Sequence, residues 1–336
     1  MLAAFDMTSS LSRPAWRLAH LSDPHFTVPE WRHWREMLNK RVPGYLAWHR
    51  RRRHVHHRAI LDALMQDISH QQPDHVALTG DLTQLGLAAE CRQARHWLEQ
   101  LAPESSVTMS VIPGNHDTYA PEPTAVPLSL WEPWMSDDPD STRKAPDHPR
   151  LAGSRDNRAA FPWLRRRGRI SLIGTSTALP TPWPMATGSL GSAQLERLAA
   201  CLQHAGRRGD YRILLIHHVP CRGMIHWRKR LTDMAALQDV IRRYGVELVL
   251  HGHAHRPMQG WLETPTGHAP VIGAPSASLT PPKQAGYGLF DIAPHPRGWS
   301  TTVTYRTLSG HSGHWHFTTR GSARLPDVTA PITTAA

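Results

Sequence analysis

Cysteine is scarce in this chain, and what there is cannot cross-link it. Cys91, Cys201 and Cys221 are the three in 336 residues. They lie far apart in no metal-type spacing, and an odd number cannot close a disulfide framework within one chain. Reduced thiols of a cytosolic protein are the expectation. No uninterrupted apolar run approaches the ~20 residues that a membrane-spanning helix needs. The first residues, with Ser9, Ser10, Ser12 and Pro14, lack the basic-then-apolar run of a secretory signal. The chain should be soluble, or at most peripheral at the inner face of a membrane. Acidic residues are outnumbered, 27 against 38 Lys and Arg, and the formal charge of +11 favours an anionic partner: a phosphorylated metabolite, a nucleic acid or a membrane surface. No compositional break divides the chain, so one large domain is expected, with oligomeric state left open.

Histidine is abundant instead, 24 residues in all, so an isolated one carries no weight. Position along the chain carries more. Five apolar runs read as strands, and each ends on polar residues. Residues 16–22 (WRLAHLS) run into Asp23 and His25, and residues 75–79 (HVALT) into Gly80 and Asp81. Residues 107–112 precede Pro113, Gly114, Asn115, His116 and Asp117. Residues 212–216 (RILLI) precede His217 and His218, and 246–250 (VELVL) precede His251, Gly252, His253, Ala254 and His255. Amphipathic helices lie between them, with Ile60, Leu61, Leu64 and Ile68 on one face and Leu195, Leu198 and Leu202 on another. Alternation of strand and helix indicates an α/β fold, and ligand sites in such folds collect at the carboxyl ends of strands. Residues 271–278, 288–292 and 300–307 read as strands completing a second sheet. Residues 1–14 are expected to be disordered, residues 15–308 to form the domain, and residues 309–336, rich in Gly, Thr, His and Pro, to be a loosely held tail.

In order, the polar blocks are Asp-x-His, Gly-Asp, Gly-Asn-His-Asp, His and Gly-His-x-His. This series resembles the calcineurin-like metallophosphoesterase superfamily, with bacterial phosphodiesterase members the nearest in pattern, over about residues 16–308. The resemblance implies a four-layer αββα sandwich of two mixed β-sheets flanked by helices, with a dinuclear metal site at the strand C-terminal ends. It implies that Asp23, His25 and His255 hold one divalent ion, that Asn115, His217 and His253 hold the other, and that Asp81 bridges them. A metal-bridging hydroxide would attack phosphorus in a phosphodiester or pyrophosphate, with His116 as general acid and Asp117 orienting its ring. Mixed imidazole and carboxylate donors suit Mn, Fe or Zn better than Mg or Ca. His218 and His251 are expected behind the ligands. Some relatives keep the fold as a non-catalytic scaffold after losing ligands; no ligand position is substituted here.

Substrate choice rests on less. Residues 28–57 combine Trp31, Trp34, Tyr45 and Trp48 with the basic run Arg50, Arg51, Arg52 and Arg53. Such a segment suits an anionic membrane or a phosphorylated lipid, with packed tryptophans and solvated arginines as the plain alternative. A nucleic-acid groove ranks third, because the other basic clusters are scattered and no dedicated module is recognisable. Two substrate classes fit: a nucleotide-linked lipid pyrophosphate such as UDP-2,3-diacylglucosamine, or cyclic nucleotides and related small diesters. Arg222, His226, Arg228 and Arg230 are candidates for the nonreacting part of the substrate. Residues 120–149, with seven prolines, read as an irregular loop or lid.

Overall fold

The computed structural model describes residues 15–26, 41–47, 56–101, 108–119, 129–138, 160–296 and 298–329. Residues 1–14, most of the basic aromatic segment 28–57, and 120–128 and 139–149 of the proline-rich segment lie outside the described residues. In chain order the strands are β1 (Trp16–Leu21), β2 (His75–Leu78), β3 (Thr108–Val111), β4 (Trp163–Arg167), β5 (Ile170–Gly174), β6 (Tyr211–Ile216), β7 (Leu248–His251), β8 (Met258–Thr264), β9 (Gly267–Gly273), β10 (Gly286–His295), β11 (Gly298–Ser309) and β12 (His316–Thr329). The helices are α1 (Arg41–Ala47), α2 (Arg58–Gln71), α3 (Ala88–Leu101), α4 (Ser192–Arg207) and α5 (Met234–Tyr244).

Two six-stranded sheets result, ordered β12-β11-β10-β1-β2-β3 and β4-β5-β6-β7-β9-β8. β1, β2 and β3 are parallel, as are β5, β6, β7 and β9, while the remaining pairings are antiparallel. Alternation along the central strands sets the layering. Ile213 and Leu215 of β6 join a large core with Leu18, Val76 and Leu248, whereas Leu214 and Ile216 join a second core with Leu198 and Leu202 of α4 and Leu237 and Ile241 of α5. Burial on both faces is why β6 and β7 read as continuous apolar runs. Ile60, Leu64 and Ile68 of α2 and Trp97 and Leu98 of α3 pack into the large core. Asp67 of α2 anchors that helix to the first sheet, accepting from Tyr287 Oη at 2.6 Å and Arg306 Nε at 3.0 Å. The chain is thus the expected sandwich of two mixed sheets flanked by helices.

Two features differ from the sequence expectation, and a third goes beyond it. Residues 309–336 are not simply a loose tail: β12 continues the first sheet against β11, burying Phe317 and Leu325 in the core. Its backbone ladder, rather than its sparse apolar content, makes it a strand. Pro326, unable to donate, falls where the register slips between Trp299 and Thr301. Second, β10 and β11 extend the first sheet beside β1, and of the late strands it is β8 and β9 that complete the second. Third, β4 is a strand despite its three arginines. Arg165 is buried and donates to the carbonyls of Ser136, Met109 and Pro133, each at 2.6 Å, while Arg166 and Arg167 pair with Asp210 and Asp138. These cations serve the fold, so the chain's net charge overstates what is offered to a partner.

Candidate metal centre

Because β1, β2 and β3 run parallel, as do β6 and β7, their carboxyl ends converge on one edge of the sandwich. Six non-glycine residues among those described have left-handed backbone, and five are Asp23 (φ 53°), His25 (φ 49°), Asp81 (φ 53°), His253 (φ 65°) and His255 (φ 53°). For a residue with a Cβ this costs about 1–2 kcal/mol. Strain gathered on the residues that end these strands marks a site held for its side chains. Cross-strand bonds hold the turns: Asp23 N–H donates to the Gly80 carbonyl at 3.0 Å and His25 N–H to that of Asp81 at 3.1 Å. Gly114 is needed where it stands, since a Cβ there would collide with Asp81 and with the His217 ring.

The side chains form two groups of potential metal donors, Asp23, His25, Asp81 and His255 in one and Asp81, His217 and His253 in the other, each with its donor atoms within 4.8 Å of one another. Asp81 belongs to both. Its Oδ2 lies 3.8 Å from His25 Nε2 and 3.4 Å from His217 Nε2, while Oδ1 accepts from His116 N–H at 2.8 Å. Asn115 Oδ1 adds to the second group, 3.2 Å from His217 Nε2.

Backbone carbonyls, which can only accept, fix the tautomers. His25 Nδ1 donates to Thr83 at 3.2 Å and His217 Nδ1 to Thr79 at 2.6 Å, leaving each Nε2 with its lone pair. His253 Nε2 donates to Lys229 at 3.1 Å, leaving Nδ1. Burial, then neighbouring His255, holds His25 well below the ordinary imidazole pKa. Burial, then His218, does the same for His253. Burial also opposes charge on His217, but Asp81 outweighs it and raises that ring to about 9. The His217 and Asp81 pair therefore favours a positive charge between them, a proton or a cation.

The donor set fits divalent metal. Asp23 Oδ1 is buried with no hydrogen-bond partner. It lies 3.8 Å from His25 Nε2, whose lone pair is left open by the bond to Thr83, and both atoms face His255 Nε2, at 3.1 and 3.0 Å. Two buried acceptors, a carboxylate oxygen and an imidazole nitrogen, turned toward one another beside a third imidazole are satisfied by a shared cation.

His116 stands edge-on to His25, ring centres 4.9 Å apart. Asp117, expected to orient it, does something else. Its Oδ1 accepts from Thr83 N–H at 2.9 Å and Thr83 Oγ1 at 3.0 Å, and its Oδ2 from Gly114 N–H at 2.8 Å. His116 Nδ1 is instead held by the Gln84 carbonyl, at 2.6 Å. Asp117 thus braces the turn that carries Asn115 and His116. Burial, then Asp81, pushes its carboxyl up to about 7.

His218 lies behind the second donor group, its ring centre 4.4 Å from that of His253 and its Nδ1 2.7 Å from Thr177 Oγ1. His251 is buried, with Nδ1 on the Gly252 carbonyl at 3.0 Å. Arg222, His226, Arg228 and Arg230 are exposed and belong to neither donor group. Their loop reaches the site through the Lys229 carbonyl; within it His226 caps a short 3-10 turn, and the Arg228 guanidinium lies 5.2 Å from the Trp227 ring centre. Sequence reasoning missed His56, whose ring centre is 4.8 Å from that of His25. It missed Thr79, Thr83 and Gln84 as well, which act through backbone carbonyls that no side-chain pattern reveals.

A family model described as calcineurin-like phosphoesterase matches residues 17–257. Comparison with curated protein sequences finds no match. Among solved structures, a dimetal phosphatase from Danio rerio is similar at 14% identity and a TM-score of 0.54, over 95% of this chain and 100% of that one. A purple acid phosphatase from yellow lupin (Lupinus luteus) seeds is similar at 15% identity and a TM-score of 0.51, over 96% of this chain and 57% of that one. Likeness at these identities speaks to the fold.

Proposed function

Because the chain belongs to the calcineurin-like phosphoesterase family, and is thereby a phosphoric ester hydrolase, we propose that it cleaves a phosphodiester or pyrophosphate bond at the site centred on Asp81. The observation that carries this reading is the position of Asp81 Oδ2 between His25 and His217, shared by both donor groups. Asp23, His25 and His255 would hold one divalent ion, Asn115, His217 and His253 the other, with Asp81 available to both; the mixture of imidazole and carboxylate donors favours Mn, Fe or Zn. Such a pair of ions supplies Lewis-acid activation of water and neutralises charge on the phosphoryl oxygens. Asn115, a neutral donor, leaves the site more positive than a further carboxylate would, which favours an anionic substrate.

His116 delivers the proton to the leaving oxygen. With Nδ1 donating to Gln84, Nε2 is the nitrogen whose proton is exchanged. The substrate is a nucleotide-linked lipid pyrophosphate of the UDP-2,3-diacylglucosamine type. Support comes from the basic aromatic composition of residues 28–57, and from exposed Trp227 beside Arg228, one residue from the Lys229 carbonyl that holds His253. Arg222, His226, Arg228 and Arg230 grip the nonreacting part, and residues 28–57 touch the cytoplasmic membrane surface.

The test is hydrolysis by metal-stripped protein given Mn, Fe, Zn or Mg, first on a chromogenic phosphodiester beside the matching monoester, then on a lipid pyrophosphate beside cyclic nucleotides. Expected are Mn- or Fe-dependent diester turnover, abolition in Asp81→Ala, a loss of about 10²–10⁴-fold in His116→Ala, and preference for the lipid. Faster turnover of cyclic nucleotides would overturn the substrate. No turnover with any metal would overturn the reading and leave a scaffold.

A further inference from the structure

His56 enters the site from outside the motif blocks, where the segment following Asp23 and His25 returns to the fold. Its backbone bridges to Leu279 in antiparallel fashion. Its ring centre is 4.8 Å from that of His25 and 6.1 Å from that of His255. One nitrogen from each of the three rings lies within 4.8 Å of the others, in a group that does not include Asp81.

The ring is held in place. Ser278 Oγ lies 2.6 Å from His56 Nδ1, and the Ser278 carbonyl accepts from His57 N–H at 3.2 Å. In the same turn, Ser276 Oγ donates to the Asp23 carbonyl at 2.6 Å. A single turn after β9 therefore positions both Asp23 and His56. A partner that fixes one imidazole nitrogen and leaves the other toward the donors is how metal-bound histidines are oriented. A cleft of 210 Å³ lined by His25, His56, Arg58 and Ser278 opens beside them, so the ring is accessible from solvent.

We propose that His56 is a further ligand of the cation held by Asp23, His25 and His255, donating through Nε2 from the His25 and His255 side. This rests on the two-ion reading above. It gives the two ions unequal donor sets: three imidazoles with Asp23 and Asp81 for one, two imidazoles with Asn115 and Asp81 for the other. More nitrogen donors favour a transition metal and its retention, so the first ion is the tightly held one and the second exchanges more readily.

The experiment is titration of metal-stripped protein with Co(II), reading stoichiometry, the affinity of each ion by chelator competition, and the visible ligand-field spectrum. Wild type is compared with His56→Ala, His56→Gln and Ser278→Ala, with circular dichroism confirming the fold. Expected are two ions in wild type, a loss of about 10–100-fold or more in the affinity of the tighter ion in His56→Ala, and a changed spectrum for that ion alone. Free imidazole should restore part of both. Ser278→Ala, which keeps the ring but loosens it, should show a smaller loss of the same kind, and decides the matter if the His56 variants do not fold. Two ions in wild type with affinity and spectrum unchanged in the variants would overturn the role of His56 alone. Wild type binding no ion would overturn the two-ion reading with it.

Discussion

Asp117 separates two explanations of the same sequence block. Adjacent to His116, it suggests a carboxylate that tunes a general acid; in the structure both its oxygens go to the turn. Asp117→Ala would strand Thr83 N–H, Thr83 Oγ1 and Gly114 N–H, which meet the carboxylate at 2.9, 3.0 and 2.8 Å. A buried donor left unsatisfied costs roughly 1–3 kcal/mol, and a shared site makes the sum less than additive, so about 2–5 kcal/mol is expected for Ala. Asp117→Asn keeps the shape but sets an amide N–H against one of the backbone donors, for about 1–3 kcal/mol. Denaturant unfolding of the metal-loaded protein, followed in parallel with the pH dependence of kcat/KM, is the assay. A brace predicts lost stability and lower kcat in both variants, with the pH at which activity falls on the basic side unmoved in Asp117→Asn, because Gln84 rather than Asp117 holds His116 Nδ1. Undiminished stability with a shifted basic limb would refute the brace and restore the tuning role.

Two further perturbations test the fold. Burial, then His251, pushes His20 down to about 3, and burial, then Arg167, holds His75 well below the ordinary value. The unfolded chain takes up these protons below about pH 6.5 and the folded chain does not, so stability is fully present above that pH and is lost as pH falls from about 6.5 toward 3. The slope is up to about 1.4 kcal/mol per pH unit for each ring. His20→Gln should flatten the dependence of the denaturant midpoint on pH by about one proton, and an unchanged slope would contradict the assignment. Removing residues 309–336 uncovers the edge of β11 and strips Phe317 and Leu325 from the core. A lower melting temperature and aggregation through the exposed edge are expected, whereas a loose tail would leave both unchanged.

What was legible in the sequence follows from physics that is local. β6 and β7 are buried on both faces and so appear as unbroken apolar runs, and the polar residues at their carboxyl ends, His217, His253 and His255, fall in the two groups of potential donors. What was hidden depends on contacts between distant parts of the chain. His56 has no motif about it, and its place is set by Leu279 and Ser278, far along the sequence. Asp117 lies next to His116 in sequence, yet loop geometry turns its carboxylate to Thr83 and Gly114. β12 carries few apolar residues and exists because β11 offers it a ladder. Arg165 is held by the carbonyls of Met109, Pro133 and Ser136, which lie well before it in the chain.

The central claim is that Asp81 joins two metal ions. Loading the stripped protein with Mn(II) and recording elemental stoichiometry together with the electron paramagnetic resonance spectrum tests it most directly. The account predicts two ions per chain with an exchange-coupled signal, and in Asp81→Ala the loss of at least one ion together with the coupling. A single uncoupled ion in wild type, or a coupled pair that survives Asp81→Ala, would contradict it.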